Sequence, residues 1–300
     1  MATQREMDFT YGLGDKIFRL SMGETGDFSG AKYDGDFSLT LEEAQKRKHG
    51  FVFEQLQLQP GHRVLDMGCG WGPFLRYLKG RGVDGVGVSL AKAQAAACVR
   101  NGLNAHLMDC RGITPDTFGP FDAVACLGAF EHFCSRAQFE AGKQDAIYND
   151  LFRVVHDLIP RGGRFYLQTM VYGPNMVASE EVTMEAEPGS NAHAVAVMEA
   201  QFPGSWLPYG SEQVERNAAP YFRLVTKGSG RLDYIETIRQ WRKRFAEPSL
   251  KKSLLKLSLV PRYLVSRNFR RAFASGISAN TICFERQVLD HSRMVFEKED

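Results

Sequence analysis

The middle of the chain alternates short apolar runs with amphipathic stretches, each bounded by glycine, proline or polar residues. The apolar runs predict β-strands at His62–Met67, Asp84–Val88, Asn104–Met108, Phe121–Leu127 and Gly163–Met170. The amphipathic stretches predict helices at Phe74–Gly80, Ala91–Arg100 and Ala137–Leu158. Strands that alternate with helices form a parallel sheet covered on both faces. The pattern therefore predicts an α/β fold with a doubly wound, mostly parallel sheet and a ligand at the carboxyl ends of its strands.

The pattern changes after the last of these strands. Residues 171–230 contain glycine–proline turns and scattered aromatic residues, and a long irregular insertion is typical of a lid or a binding loop. A helical pattern resumes near Asp233, and Thr281–Val288 predicts a late strand that closes the sheet. The predicted organisation is an N-terminal helical cap (1–60), a ligand-binding core (61–170), a substrate-binding lid with helices (171–275) and a C-terminal strand (276–300).

The clearest chemical signal follows the first predicted strand. The segment Arg63–Gly72 reads RVLDMGCGWG, so Asp66 precedes three glycines that alternate with single residues. Glycine lets the backbone turn sharply and leaves room for a ligand. Dinucleotide-binding proteins carry G-x-G-x-x-G instead, with a pyrophosphate over the helix N-terminus. An acid before the glycines fits a ligand with a cation and no phosphate, which indicates S-adenosylmethionine.

Residues at the ends of the following strands support the same cofactor. Ser89 follows the second strand, where a nicotinamide-binding protein usually presents an acid to the ribose. Asp109 follows the third strand and is expected to accept a hydrogen bond from an adenine amine. Asp66 is expected to accept from the ammonium of the amino acid moiety. The cofactor-binding residues predicted in this way are Asp66, Gly68, Cys69, Gly70, Gly72, Ser89, Leu90, Gln94, Asp109, Cys110, Arg111 and Leu127.

A carboxylate follows the fourth strand, in the segment Phe130–Phe133. Glu131 lies between phenylalanines, so we expect burial to raise its pKa and suit it to accept a proton. An acid that only starts a helix is the structural alternative. His132 suggests a metal ligand, but no second histidine lies at ligand spacing, and we predict no protein-bound metal. A substrate carrying a diphosphate would bring its own magnesium.

Composition narrows the partners and the compartment. The formal charge of +2 is too small to indicate that the protein binds nucleic acid. No apolar run is long enough to span a membrane, and the first residues do not resemble a signal peptide. The six cysteines lack C-x-x-C spacing, which favours reduced thiols in a cytoplasmic protein. Residues 250–271 mix leucine with lysine and arginine, as in a helix peripheral to an anionic membrane or in an ordinary solvated helix. Homo-oligomer formation stays open.

Further segments match one known family. They are Phe28–Gly30, Leu41–Gln45, Gly87–Leu90 with Gln94, Phe130–Phe133, Phe165–Met170, Phe202–Gly204 with Leu207–Pro208, Asp233–Tyr234 with Trp241 and Phe245, and Phe284–Gln287. With the glycine loop, they resemble the cyclopropane fatty acid synthase and mycolic acid methyltransferase family of class I S-adenosylmethionine-dependent methyltransferases. The resemblance implies a Rossmann-like core and methyl transfer to a lipid. It adds Phe28 and Ser29 to the expected cofactor-binding residues.

Two departures from the family pattern concern its acid–base residues. The family has tyrosine-serine-cysteine where this chain has Phe28-Ser29-Gly30, and histidine-threonine-isoleucine where it has Gln168-Thr169-Met170. In the family, that cysteine and histidine help to hold a bicarbonate ion that removes a proton from the alkyl cation. Glu131 and Tyr234 match the glutamate and tyrosine of the same site. The resemblance therefore implies methyl transfer with altered proton removal.

These observations predict a methyltransferase that methylates a carbon of an unsaturated lipid or isoprenoid-like apolar substrate through a carbocation. Glu131 would be the base or would anchor it, and aromatic side chains would stabilise the cation. The expected catalytic residues are Glu131, Tyr234, Gln168 and His132. The alternatives are an N- or O-methyltransferase of a small secondary metabolite, a true cyclopropane fatty acid synthase, and a non-catalytic lipid-binding module.

Overall fold

The computed structural model describes Thr3 and residues 21–23, 25–265 and 279–299. Its strands are β1 (Arg63–Met67), β2 (Asp84–Ser89), β3 (Asn104–Leu107), β4 (Ala123–Leu127), β5 (Arg164–Tyr172), β6 (Phe222–Ser229) and β7 (Leu289–Lys298). They form one seven-stranded sheet of order β3-β2-β1-β4-β5-β7-β6. β1 to β5 run parallel, whereas β7 lies antiparallel between β5 and β6. The predicted mostly parallel, doubly wound sheet is confirmed.

The helices of the described residues lie between these strands and before the first one. They are α1 (Leu41–Gln55), α2 (Pro73–Lys79), α3 (Lys92–Arg100), α4 (Pro115–Phe118), α5 (Arg136–Glu140), α6 (Gln144–Leu158), α7 (Asn191–Gln201), α8 (Gly210–Ala218), α9 (Arg231–Ala246) and α10 (Leu250–Val265). Residues 279–285 are also helical. Within the described part of the chain, none of the helices is long and apolar enough to cross a membrane.

The predicted late strand at Thr281–Val288 is wrong. Residues 279–285 are helical, and the closing strand is β7, which begins at Leu289. Ala279, Cys283 and Phe284 are all buried in one hydrophobic cluster, at the spacing of a helix face and not of a strand. A short apolar run does not by itself distinguish the two periods.

Two other local predictions need correction. The helix predicted over Ala137–Leu158 is two helices, because Gly142 adopts a positive φ of 69° between α5 and α6. The insertion at 171–230 is not irregular throughout, since it contains α7, α8 and the strand β6. β6 was missed because it is an edge strand in which only Phe222 is buried, so it lacks the apolar alternation of a half-buried strand.

Two hydrophobic clusters position the site. One contains Phe152 of α6 with Phe165, Phe222 and Phe296 of the sheet, and the Phe152 ring meets the other three edge to face, as with Phe296 at 5.6 Å. The other joins residues of α1, α7, α9 and helix 279–285. The second cluster therefore packs helices from the N-terminal and inserted segments beside the carboxyl ends of the strands.

Candidate active site

The turn after β1 is built by glycines with left-handed backbone. Gly68, Gly70 and Gly72 have φ values of 86°, 54° and 76°, which side chains disfavour. A Cβ at Gly68 would lie 2.2 Å from the Cβ of Ala129, whereas a Cβ at Gly70 would have no atom within 4 Å. Gly68 is thus required by packing, and Gly70 faces open space.

That space is a cavity at the carboxyl ends of β1, β2 and β4, here called the glycine-loop cavity. The sequence-predicted cofactor residues that line it are Phe28, Ser29, Asp66, Gly68, Cys69, Gly70, Ser89, Leu90, Gln94, Cys110 and Leu127. The remaining walls are formed by His132, which the sequence predicts as a catalytic residue, and by residues not predicted as site residues: Gly26, Asp27, Trp71, Pro73, Phe74, Val88, Met108, Gly128, Ala129 and Phe133. The topology brings most of the predicted set together.

Three predicted cofactor residues do not line this cavity. Gly72 is the N-cap of α2, and a Cβ there would meet Leu103 at 2.5 Å, so its role in the fold is packing. The carboxylate of Asp109 accepts from the backbone N–H of Arg111 and from its guanidinium. This pair caps a short 3₁₀ helix, and the adenine-binding role of Asp109 and Arg111 stays a prediction.

Asp66 is the most unusual group in the glycine-loop cavity. It is 2% exposed, and its Oδ1 has no hydrogen-bond partner among the described residues. Burial raises the pKa of its carboxyl to about 7, with Asp27 adding to the effect and Lys48 opposing it. A buried carboxylate oxygen without a partner is costly. A ligand ammonium would satisfy it, so this cavity fits the ammonium of the amino acid moiety of S-adenosylmethionine.

A buried ionic network holds the segment that carries Phe28 and Ser29. Lys48 Nζ donates to Asp27, Ser29 and Gln45 at 2.6 Å each, and His49 Nε2 lies 2.9 Å from Asp27 Oδ2. Although burial opposes ionisation, Lys48 and His49 hold the pKa of Asp27 well below its usual range. Asp27, Lys48 and His49 of this network were not predicted from the sequence. Gln45, Lys48 and His49 lie on the buried face of α1 with Leu41, Ala44 and Val52, and their polar side chains gave no local signal of burial.

A second cavity, here called the acceptor cavity, adjoins the first. Phe28, Ser29, Gly128 and His132 line both. Its other walls are Ser21, Gly30, Glu131, Met170, Tyr172, Val195, Met198, Glu199, Gln201, Phe202, Ser205, Leu207, Tyr234, Ile238, Trp241, Asn280, Leu289 and His291. Most of these are apolar or aromatic, and no lysine or arginine is among the described residues that line it. A methyl donor and an apolar acceptor would therefore meet at a shared wall.

Glu131 is an acidic residue of the acceptor cavity, and it precedes His132, which lines both cavities. It lies in a 3₁₀ turn after β4, and its Oε1 accepts the backbone N–H of Met170 at 2.8 Å. Its Oε2 has no hydrogen-bond partner in the described structure. Burial raises the pKa of Glu131 to about 7, and hydrogen bonds from Met170, the Glu131 backbone and the Thr169 side chain oppose this only partly. The carboxylate is thus held by one oxygen and available through the other.

The other expected catalytic residues have different surroundings. His132 lines both cavities, shares a hydrogen bond of 2.7 Å with Ser205 Oγ through Nδ1, and has a pKa lowered to about 4 by burial. Gln168 is fully buried and lines neither cavity, and its Nε2 donates to the Gly30 carbonyl at 3.1 Å. Tyr234 lines the acceptor cavity. His132 is therefore neutral at pH 7. Gln168 contacts the site only indirectly, through its hydrogen bond to the Gly30 backbone.

His291 is a site residue that the sequence analysis missed. It lies on β7 opposite Met170 of β5, lines the acceptor cavity and is 1% exposed. Burial lowers its pKa well below the usual range, and Arg293 and Lys48 add to this. A Cβ at Gly30 would lie 2.5 Å from the ring of Tyr234 and 2.9 Å from His291 Cε1. The glycine therefore makes room for these two rings. The predicted late strand ends at Val288, before this histidine, so no sequence pattern indicated that His291 belongs to the site.

The comparison with known proteins agrees with this geometry. Residues 2–287 match the protein family described as mycolic acid cyclopropane synthetase. Cyclopropane mycolic acid synthase 3 of Mycobacterium tuberculosis is 30% identical over 236 residues, which are 77% of this chain and 78% of that protein. The cyclopropane-fatty-acyl-phospholipid synthase of Escherichia coli is 27% identical over 296 residues, 96% of this chain and 66% of that protein.

Solved structures show the same fold. The crystal structure of mycolic acid cyclopropane synthase CmaA1 complexed with SAH and CTAB has a TM-score of 0.77 and 24% identity, and covers 99% of both chains. The family match spans nearly the whole sequence, including the glycine loop and the Phe130–Phe133 segment. The predicted resemblance and the predicted cofactor are both confirmed. The chain belongs to the mycolic acid cyclopropane synthase family and is an S-adenosylmethionine-dependent methyltransferase.

Proposed function

We propose that the protein methylates a carbon of an unsaturated lipid or isoprenoid-like substrate, and that Glu131 removes the proton that follows methyl transfer. The observation that carries this proposal is the Glu131 carboxylate, fixed by Met170 at Oε1 and without a partner at Oε2. It lies in an apolar cavity that shares walls with the glycine-loop cavity. Asp66 would hold the cofactor through its ammonium.

S-adenosylmethionine supplies an electrophilic methyl group, so the protein mainly has to align the acceptor and exclude water. A carbon–carbon double bond is a weak nucleophile, and its attack leaves a cation on the acceptor. Aromatic faces stabilise such a cation by about 0.5 to 2 kcal/mol each. Phe28 stacks on Trp241 with centroids 5.1 Å apart, and Tyr234 lines the same cavity. These rings are therefore proposed to surround the cation.

Glu131 would then take a proton from the carbon beside the cation, and the electrons of the broken C–H bond would form a new double bond. With a pKa raised to about 7, the carboxylate is a stronger base than an exposed glutamate. His132 and Tyr234 would position the acceptor, and Gln168 would hold the Gly30 carbonyl. A glutamine cannot shuttle a proton at neutral pH. We therefore propose a methylated product without a cyclopropane ring.

The test is mass spectrometry of lipids from a host that expresses the protein, combined with an assay stripped of bicarbonate. Methylation with proton loss and cyclopropanation both add one CH2 unit to the substrate, so ozonolysis before mass spectrometry distinguishes them. A product that keeps a cleavable double bond and forms without bicarbonate is expected. A cyclopropane product that disappears when bicarbonate is removed would contradict the proposed chemistry.

N-methylation is a second candidate that one observation favours. The described lining of the acceptor cavity contains the carboxylates Glu131 and Glu199 and no lysine or arginine. A protonated amine would be attracted by Glu131 and could give up its proton there before methyl transfer. Parallel assays with apolar secondary amines and with unsaturated lipids, each with a labelled methyl donor, distinguish N-methylation from C-methylation. Turnover of amines alone would favour N-methylation.

We also propose that α10 contacts a lipid surface. Leu250, Leu254, Leu257 and Leu264 of this helix are 77%, 59%, 68% and 67% exposed. They recur at the spacing of one helix face. Lys252 is buried and donates to the Glu247 carbonyl at 3.0 Å, so it does not contribute charge to that face. Residues 266–271 of the predicted basic segment lie outside the described residues.

Sedimentation with vesicles tests this contact. We expect the protein to bind vesicles of anionic phospholipid, and Leu254→Ser with Leu257→Ser to weaken binding at least fivefold. Val99→Ser is the matched control, because Val99 is 59% exposed on a different helix. Equal loss in both variants would contradict a role for α10.

A further inference from the structure

Two cysteines that are distant in sequence meet behind the glycine turn. Cys69 belongs to the turn after β1, and Cys98 lies in the last part of α3. Cys98 Sγ lies 3.4 Å from the Gly70 carbonyl oxygen, and Cys69 Sγ lies 3.9 Å from the same oxygen. Both belong to a small buried cluster with Leu75, Leu103 and Ala105. The two sulfur atoms therefore lie against one carbonyl group.

The methyl transfer proposed above uses neither thiol, and both are free. The hydrogen bond between the two thiols lowers the pKa of Cys98, whereas that bond and burial raise the pKa of Cys69 well above its usual range. Cys98 is therefore the thiol that more readily forms the reactive thiolate. Cys69 also lines the glycine-loop cavity. A small oxidant can therefore reach the pair through the cavity, and a bound cofactor would cover it.

We propose that Cys69 and Cys98 form a reversible disulfide, and that this modification weakens cofactor binding. With hydrogen peroxide as the oxidant, one thiolate attacks an oxygen, breaks the O–O bond and becomes a sulfenic acid, and the hydroxide released takes up a proton. The second thiol then attacks the sulfenic sulfur and releases water. In total, two thiols lose two protons and two electrons, and the peroxide becomes two waters.

The tight packing around the turn explains why the bond affects the cofactor. A Cβ at Gly87 would lie 2.7 Å from Cys69 Sγ, and a Cβ at Gly72 would lie 3.0 Å from Cys98 Sγ. A disulfide needs its sulfurs about 2.05 Å apart, so the Sγ atoms must change position, and in packing this tight we expect the turn or α3 to move with them. Because Cys69 and Gly70 both line the glycine-loop cavity, that movement changes the site. By linkage, a bound cofactor must oppose oxidation to the same extent.

Peptide mapping tests the bond in the wild-type full-length protein. After treatment with hydrogen peroxide and alkylation, mass spectrometry should find a peptide pair joined through Cys69 and Cys98. Calorimetry should show at least tenfold weaker binding of S-adenosylhomocysteine, restored by dithiothreitol. Saturation with S-adenosylhomocysteine before treatment should slow formation of the pair. Absence of this joined pair would overturn the proposal.

Variants separate the pair from the other thiols. Cys98→Ala should bind S-adenosylhomocysteine as the reduced wild type does, and its affinity should no longer respond to peroxide. Cys98→Ser replaces it if the alanine variant is unstable. Cys126→Ala is the matched control, since Cys126 is equally buried in another cluster, and it should stay sensitive. Persistent sensitivity in the Cys98 variants would also overturn the proposal.

Discussion

Met170 and Glu131 are joined by a hydrogen bond of 2.8 Å from the backbone N–H of the strand residue to Oε1 of the carboxylate. The bond fixes the direction of the carboxyl group and leaves Oε2 without a partner among the described residues. Across the sheet, Met170 is in register with His291. One strand position therefore connects the proposed base to a second titratable residue that lines the acceptor cavity, His291.

Glu131→Gln should lower kcat by roughly 100-fold or more, since general bases contribute about that much. The amide keeps the size of the side chain and can still accept the Met170 N–H, so the affinity for S-adenosylhomocysteine should stay within twofold. Steady-state kinetics and calorimetry measure the two quantities. An equal loss of cofactor affinity would instead make Glu131 a binding residue.

The pH dependence of kcat should report the ionisation of Glu131. Burial raises its pKa to about 7, and only the ionised form accepts a proton, so kcat should rise with pH and level off above about 7. His132 is already neutral in this range because its pKa is lowered to about 4. A profile that is flat between pH 5 and pH 8 would argue against this base.

Asp66→Asn should weaken binding of S-adenosylmethionine by about 10- to 100-fold, because a hydrogen bond to a charged group contributes about 1.5 to 3 kcal/mol. Asp109→Asn is the matched control. Asp109 is paired with Arg111 and does not line the glycine-loop cavity, so its variant should bind almost normally. Titration calorimetry compares them, and a larger effect at Asp109 would restore the adenine-binding prediction.

Asp66 should also make the cofactor-free protein less stable as the pH rises. Its pKa is about 7 in the folded protein and about 3.9 in an unfolded chain. Between these values the folded state binds more protons, so the free energy of unfolding falls with increasing pH. Asp66→Asn should therefore raise Tm at pH 8 by more than at pH 5. Thermal unfolding at both pH values tests this, and equal shifts would contradict it.

Gly30→Ala should reduce both stability and activity. A Cβ there would lie within 3 Å of the Tyr234 ring and of His291 Cε1, so both rings must move. Gly112→Ala is the control, because a Cβ there meets no atom within 4 Å, and its effect should be small. Thermal unfolding and turnover measure the difference. Equal effects at the two glycines would show that the Tyr234 and His291 rings move at little cost, which would contradict the need for glycine at position 30.

The parts of this molecule that could be predicted from the sequence are those with a local signature. The apolar runs of β1, β2, β4 and β5 are largely buried. The acid near the end of β1 and the glycines that follow it indicate the cofactor from a single segment. β6 could not be predicted in the same way, because only Phe222 is buried and the strand depends on pairing with β7.

The site was harder to predict where its residues depend on distant partners. Lys48 looks like a surface residue of an amphipathic helix, yet it is fully buried against Asp27 and Ser29. Asp109 looks like a ligand-binding acid, and its pairing with Arg111 two residues away was not predicted. His291 faces the acceptor cavity only because β7 folds back beside β5. Such contacts are tertiary, and no local pattern determines them.

The shared wall between the two cavities has a kinetic consequence. Phe28, Ser29, Gly128 and His132 each border both cavities, so the floor on which an acceptor rests is completed by whatever occupies the neighbouring space. When an acceptor arrives first, the part of its binding surface that the methyl donor would supply is not yet in place. This geometry favours a compulsory order of addition, in which the methyl donor enters before the acceptor and the demethylated donor is the last molecule to leave.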